Sequence, residues 1–124
     1  ITSALALGAK GVISVLANIV PRETHAICRS YFDGDPEQSD TLQLQYLELI
    51  ENLFSDVNPI PVKHALNAMG FEVGECRLPL CPMESVAAER LTACLRRYGL
   101  VEDVPAGSVT VRRPKDALLW RTNH

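Results

Sequence analysis

Apolar positions recur along most of this chain at helical spacing. Leu42, Tyr46, Leu49, Ile50 and Leu53 fall at steps of three and four, which predicts a helix with one apolar stripe. Asp35-Pro36-Glu37-Gln38 opens it with a capping aspartate, a proline in the first position and a glutamine three residues after the cap. Upstream, Val20, Thr24, Ile27 and Tyr31 share one face of a helix that takes Pro21 in its first turn. Downstream, Asn58-Pro59-Ile60-Pro61 interrupts the pattern. Pro61 then opens a helix with Val62, Ala65, Leu66 and Met69 on one side, ending before Gly70. After a loop rich in Gly, Pro and Cys, a last helix is predicted from about Glu84 to Tyr98. Its inward face is Ala87, Leu91, Cys94, Leu95 and Tyr98, with Arg96 and Arg97 at the negative end of its dipole and Gly99 as its stop. Thr2 to Leu7 reads as the end of a helix stopped by Gly8.

One segment breaks the helical rule. Gly11-Val12-Ile13-Ser14-Val15 is a short apolar run with β-branched residues, and it predicts a strand buried on both faces, as in a parallel sheet. Such a strand needs neighbouring strands for its backbone groups and helices over both faces. The chain offers no comparable partner: Phe71-Glu72-Val73 is short and half polar, and Ser108 to Arg112 lies in a different compositional region. The simplest resolution places the partner strands before Ile1, which is not a start methionine. Helix, strand, helix is how one repeat of an α/β barrel passes to the next. The predicted fold class is therefore α/β: the C-terminal portion of a (β/α)8 barrel, contributing its last strand and helix, plus an accessory α-helical domain, with the fragment itself mostly α.

Composition narrows the function classes. The 124 residues are 47% hydrophobic and 22% charged with a net charge of −3. These are values of an ordinary soluble domain, and no strongly basic surface argues for nucleic acid or an anionic membrane. The apolar runs fall short of the roughly 18 residues a membrane span needs. The opening residues lack a basic leader, so a signal peptide is not expected, and the cytoplasm is the expected compartment. Cys28, Cys76, Cys81 and Cys94 are then expected as reduced thiols. Cys76 and Cys81 are spaced more widely than a CxxC pair and no histidine pair follows them, so no metal site is expected.

Gly11 to Pro21, GVISVLANIVP, resembles the last barrel strand and following turn of the dihydrodipicolinate synthase family. Asn58-Pro59-Ile60-Pro61-Val62-Lys63, followed by Ala65-Leu66-Asn67-Ala68-Met69-Gly70, is similar to that family's segment in its C-terminal helical domain, and Arg77-Leu78-Pro79-Leu80-Cys81 to its downstream loop. The resemblance runs from about residue 2 to residue 100, in matching order and spacing. It implies residues 1–35 as the end of the barrel, 36–100 as the helical domain, and 101–124 as an unmatched flexible tail. Four basic residues in that tail, Arg112, Arg113, Lys115 and Arg121, are diluted by acidic ones and make a weak nucleic-acid arm.

The resemblance implies a class I aldolase-type lyase. Pyruvate forms a Schiff base with a lysine, and the derived enamine attacks aspartate semialdehyde. Cyclisation gives 4-hydroxytetrahydrodipicolinate, on the route to diaminopimelate and lysine. It also implies a homotetramer built from dimers, and no cofactor. A lysine nucleophile and a tyrosine proton relay carry the chemistry, and in the family both belong to earlier strands. None of the three lysines here fits: Lys10 precedes the strand, Lys63 lies in NPIPVK, and Lys115 is in the tail. No catalytic residue is therefore expected in this chain, and the 124 residues alone are expected to be inactive. One substrate contact carries over: Ile13, at the end of the last strand, touching pyruvate largely through its main chain.

Other candidates read as structural. Ser14 lacks the GxSxG turn of a nucleophile, His25 and His64 lack acidic partners, Tyr46 sits in an apolar stripe, and Asn18 suits a hydrogen bond in the turn after the strand. Two other functions fit parts of the pattern: a non-catalytic helical interaction module, and a piece of a sister pyruvate-dependent sugar-acid aldolase such as N-acetylneuraminate lyase. NPIPVK points to the synthase branch, and the uncovered apolar segment argues against the free-standing module.

Overall fold

A computed structural model describes residues 1–102 of the chain. The expected tail, 101–124, lies almost wholly outside the described residues. The order is α1 (Thr2–Ala6), a 3-10 turn (Leu16–Asn18), α2 (Pro21–Phe32), α3 (Pro36–Gln45), α4 (Leu47–Leu53), α5 (Ile60–Ala68) and α6 (Ser85–Arg97). The helices start where the sequence signals placed them. Pro21, Pro36 and Pro61 each fall in a first turn, and Asp35 accepts a hydrogen bond from the Gln38 N–H at 2.9 Å. Glu84 caps α6, its carboxylate accepting from the N–H groups of Val86 and Ala87.

The helix ends are equally regular. At the end of α1 the Gly8 N–H donates to Leu5 O and the Ala9 N–H to Ala4 O, a Schellman pair. Gly8 sits at φ +98°, where a side chain would be strained. Gly34, Gly70 and Gly99 close α2, α5 and α6 with the same pair of bonds.

The predicted strand is not a strand. No β-strand forms among the described residues, and Gly11–Val15 has no regular structure. It is not buried on both faces either: Ile13 is fully exposed, and Val12 and Val15 are half-buried. The physical reason is that a strand exists only through its ladder, and the described residues offer no second strand to pair with. A second departure is the helix opened by Asp35, which breaks at Tyr46 into α3 and α4. Tyr46 stacks on Tyr98 with ring centroids 5.3 Å apart and planes at 23°. The Tyr98 hydroxyl donates to Gln45 O at 2.6 Å, occupying a carbonyl at the break. Tertiary packing has overruled a continuous apolar stripe.

The core runs between α4, α5 and α6. Leu49 and Leu53, Val62 and Ala65, and Leu91, Cys94 and Leu95 form one buried cluster, as their helical spacing predicts. Leu16, Ile19 and Val20, from the turn after Gly11–Val15, are buried in that same cluster. A second contact joins α2 to α3: Ile27 is fully buried and its carbonyl accepts from the buried Ser39 hydroxyl at 2.7 Å. The Thr24 hydroxyl donates to Val20 O at 2.8 Å, tying α2 to the end of the turn.

Two predictions follow from this packing. Leu53→Ala, at a fully buried position, should destabilise the chain by about 2–5 kcal/mol in urea unfolding, and a loss within the range of a surface substitution would contradict the core assignment. The second concerns acid. The backbone bonds from Val86 and Ala87 hold the Glu84 carboxyl below its ordinary range. Its contribution to α6 is then fully present above about pH 4.3, the unfolded value, and is lost as pH falls through the lower folded value. Glu84→Gln should flatten the acid limb of helix stability followed by circular dichroism. An acid limb identical to that of the unsubstituted chain would show the cap to be without effect.

Candidate functional site

The sequence-predicted contact, Ile13, stands on the rim of an open apolar depression. Residues 11–16 form one wall, Ile1 and Ala4 of the α1 region a second, and Gln43, Leu47, Ile50 and Phe54 of α3, α4 and the turn after it a third. The depression measures ≈ 490 Å³. It is built from below by the core: Leu16 is buried, so the chain immediately before it emerges at a fixed place. The Thr2 N–H donates to Gln43 Oε1 at 2.8 Å and holds α1 against α3. Asn18 Nδ2 donates to Val15 O at 3.2 Å and the Ala17 N–H to Ser14 O at 3.2 Å, closing the turn. Asn18 thus has the turn-forming role expected of it.

Chemically the depression offers a surface. Of its lining side chains only Ser14 and Gln43 are polar, and Gln43 already accepts a backbone bond. Leu47 and Phe54 are exposed beside Ile13. Together they make an apolar patch of the kind that ordinarily meets another protein surface. The arrangement can bind and exclude water, but it presents no carboxylate, imidazole, thiol or lysine side chain to a substrate.

The other candidate residues lie apart from it. His25 is exposed on α2. His64 is half-buried on α5, with Nε2 3.0 Å from the Thr92 hydroxyl of α6, so it joins two helices. Tyr46 belongs to the tyrosine stack, and burial, followed by the Glu23 charge, pushes its hydroxyl pKa up. Lys10 is exposed, the Lys63 Nζ donates to Glu75 O at 2.6 Å, and Lys115 lies outside the described residues. Among the described residues the four thiols are free, and Cys94 is the one fully buried in the core. Sequence reasoning missed the Tyr98 hydroxyl bond and the tyrosine stack. The spacing of two tyrosines 52 positions apart carries no local signal for either.

Comparison with known proteins places this fold. Residues 1–98 match the model of the dihydrodipicolinate synthetase family. A 4-hydroxy-tetrahydrodipicolinate synthase of Acetivibrio thermocellus is 54% identical over 97 residues, covering 78% of this chain and 33% of that protein. The crystal structure of dihydrodipicolinate synthase from Thermotoga maritima superposes with a TM-score of 0.78 at 41% identity, covering 81% of this chain and 34% of that one. The chloride-inhibited synthase of Acinetobacter baumannii, solved in complex with pyruvate, superposes with a TM-score of 0.76 at 38% identity, covering 81% and 34%. The chain thus spans about a third of the length of the relatives it matches. The fold class read from the sequence holds: the chain superposes on part of (β/α)8 barrel proteins with accessory helices, and is mostly α by itself. The match covers more than three quarters of the chain, and the chain belongs to the dihydrodipicolinate synthetase family.

Proposed function

We propose that the chain is the C-terminal part of a 4-hydroxy-tetrahydrodipicolinate synthase, a lyase of lysine and diaminopimelate biosynthesis. The observation that carries this is the 54% identity to a protein of that name across 97 residues. In this reading pyruvate forms a Schiff base with a lysine supplied by the other two thirds of the enzyme. Loss of a proton gives the enamine, which attacks aspartate semialdehyde, and a tyrosine moves the protons. The placement of this chain's lysines supports the division of labour: Lys63 is engaged with a loop carbonyl and Lys10 is exposed.

The chain's own role is to close the barrel. Residues 11–15 form the last strand once neighbouring strands pair with them, and the apolar depression becomes barrel interior and interface. Ile13 then meets pyruvate at the C-terminal end of that strand, where barrel active sites lie. Residues 1–35 complete the barrel, 36–100 form the accessory helical domain, and the assembled enzyme is a cytoplasmic homotetramer built from dimers.

A chimera tests the activity. Residues 1–98 replace the matching third of the Acetivibrio thermocellus synthase, and turnover of pyruvate with aspartate semialdehyde is measured. Turnover is expected; a folded chimera active only on a sugar acid, or on nothing, would overturn the reading. Borohydride reduction of the chimera with pyruvate should leave Lys10 and Lys63 unmodified by mass spectrometry, and stoichiometric labelling of either would contradict the assignment of the nucleophile to the rest of the enzyme. In the same chimera Ile13→Val tests the main-chain contact. Losing one methylene from a side-chain pocket costs about tenfold or more, so a smaller change in KM for pyruvate is expected, and a larger one would mean that the side chain itself is read.

A further inference from the structure

Cys76 and Cys81 line one cavity of ≈ 190 Å³, between α5 and the loop that follows it. Cys76 is half-buried and Cys81 is exposed. Between them Arg77 to Leu80 forms a closed β-turn, the Leu80 N–H donating to Arg77 O at 3.1 Å. A disulfide needs Cα atoms about 4.4–6.8 Å apart, a span that two residues immediately before and after a closed four-residue turn can meet. The Cys81 Sγ points back over the turn, 3.9 Å from Pro79 O. The strand of loop entering the turn is fixed to α5: the Lys63 Nζ holds Glu75 O at 2.6 Å and the Asn67 Nδ2 holds Gly74 O at 2.9 Å. Cys76 is therefore anchored immediately before the turn and Cys81 follows it immediately, both lining the same cavity. Cys94 is buried in the core and Cys28 lies on α2, so neither competes for this pairing.

We propose that Cys76 and Cys81 are a redox-active dithiol, and that small-molecule disulfides of the glutathione class are its oxidants. Cys81, the exposed thiol, gives up its proton, and its thiolate attacks one sulfur of the oxidant. A mixed disulfide forms, and the departing thiolate takes up a proton. The Cys76 thiolate then attacks the Cys81 sulfur, forming the Cys76–Cys81 bond and expelling the second small thiol, which takes the other proton. Two protein thiols lose two electrons and two protons, and one small disulfide becomes two thiols. The new bond closes residues 76–81 into a ring held on α5. The assignment rests on the loop geometry alone and is independent of the synthase reading.

The full chain is incubated with glutathione disulfide, remaining thiols are blocked with a maleimide, and peptides are mapped by mass spectrometry without reduction. The expected product carries two maleimide labels in place of four, and its Cys76–Cys81 peptide is cross-linked and lighter by two hydrogens. Cys76→Ser should arrest at a stable glutathione adduct on Cys81, because the resolving thiol is gone. A persistent adduct on Cys81 of the unsubstituted chain would overturn the proposal. So would cross-linking through Cys28 or Cys94, or no oxidation at either loop cysteine.

Discussion

The structure depends on one insertion: Leu16, Ile19 and Val20 enter the core made by α4, α5 and α6. Residues from the first 20 positions and from α4, α5 and α6 thereby share one apolar cluster. A 3-10 turn suits the task. Its threefold repeat places Leu16 and Ile19, the residue that closes the turn, on one side, so two large apolar side chains enter the same core. Once they are seated, Gly11–Val15 emerges beside α1 and α4 with Ile13 outward.

Exposure of that segment is the energetic counterpart of its anchoring. Ile13, Leu47 and Phe54 leave apolar surface in water at a place where the backbone also lacks a ladder. In a barrel, neighbouring strands pair the N–H and C=O groups and helices cover the side chains, so both deficits are met together. This is why the same five residues read as strand by composition and lie irregular by structure. Parallel sheets occur almost only with both faces covered. In the proposed synthase the missing two thirds supply those elements.

What was legible in the sequence follows the same division between local and distant causes. Caps and stops are local: the carboxylate of Asp35, the prolines of first turns and the glycines Gly8, Gly70 and Gly99 all lie within a few residues of the effect they produce, and all were readable. The inward faces of α5 and α6 were readable for the same reason, because helical periodicity fixes them. The break at Tyr46 was not, since it needs a hydroxyl from Tyr98 on another helix. Nor was the irregularity of Gly11–Val15, because residue preference marks a strand but cannot supply its neighbours. As for Ile13, the family resemblance gave it a role, whereas the fold gives it only a place at the rim of the depression.

That place is set by residues remote from it. A cavity opened at Leu53 or Leu91 would loosen the cluster that holds Leu16 and Ile19, and so the turn from which residues 11–15 emerge. In an assembled barrel such a change would move the end of the last strand without touching a substrate atom, and positioning errors of an ångström near a reacting centre are costly. The helical part, in which no catalytic residue is assigned, thus constrains the geometry at Ile13 through the shared core. The connection is physical and contiguous: α6 packs on α4 and α5, α4 packs on the turn at Leu16–Asn18, and the turn leads directly into the segment that bears Ile13.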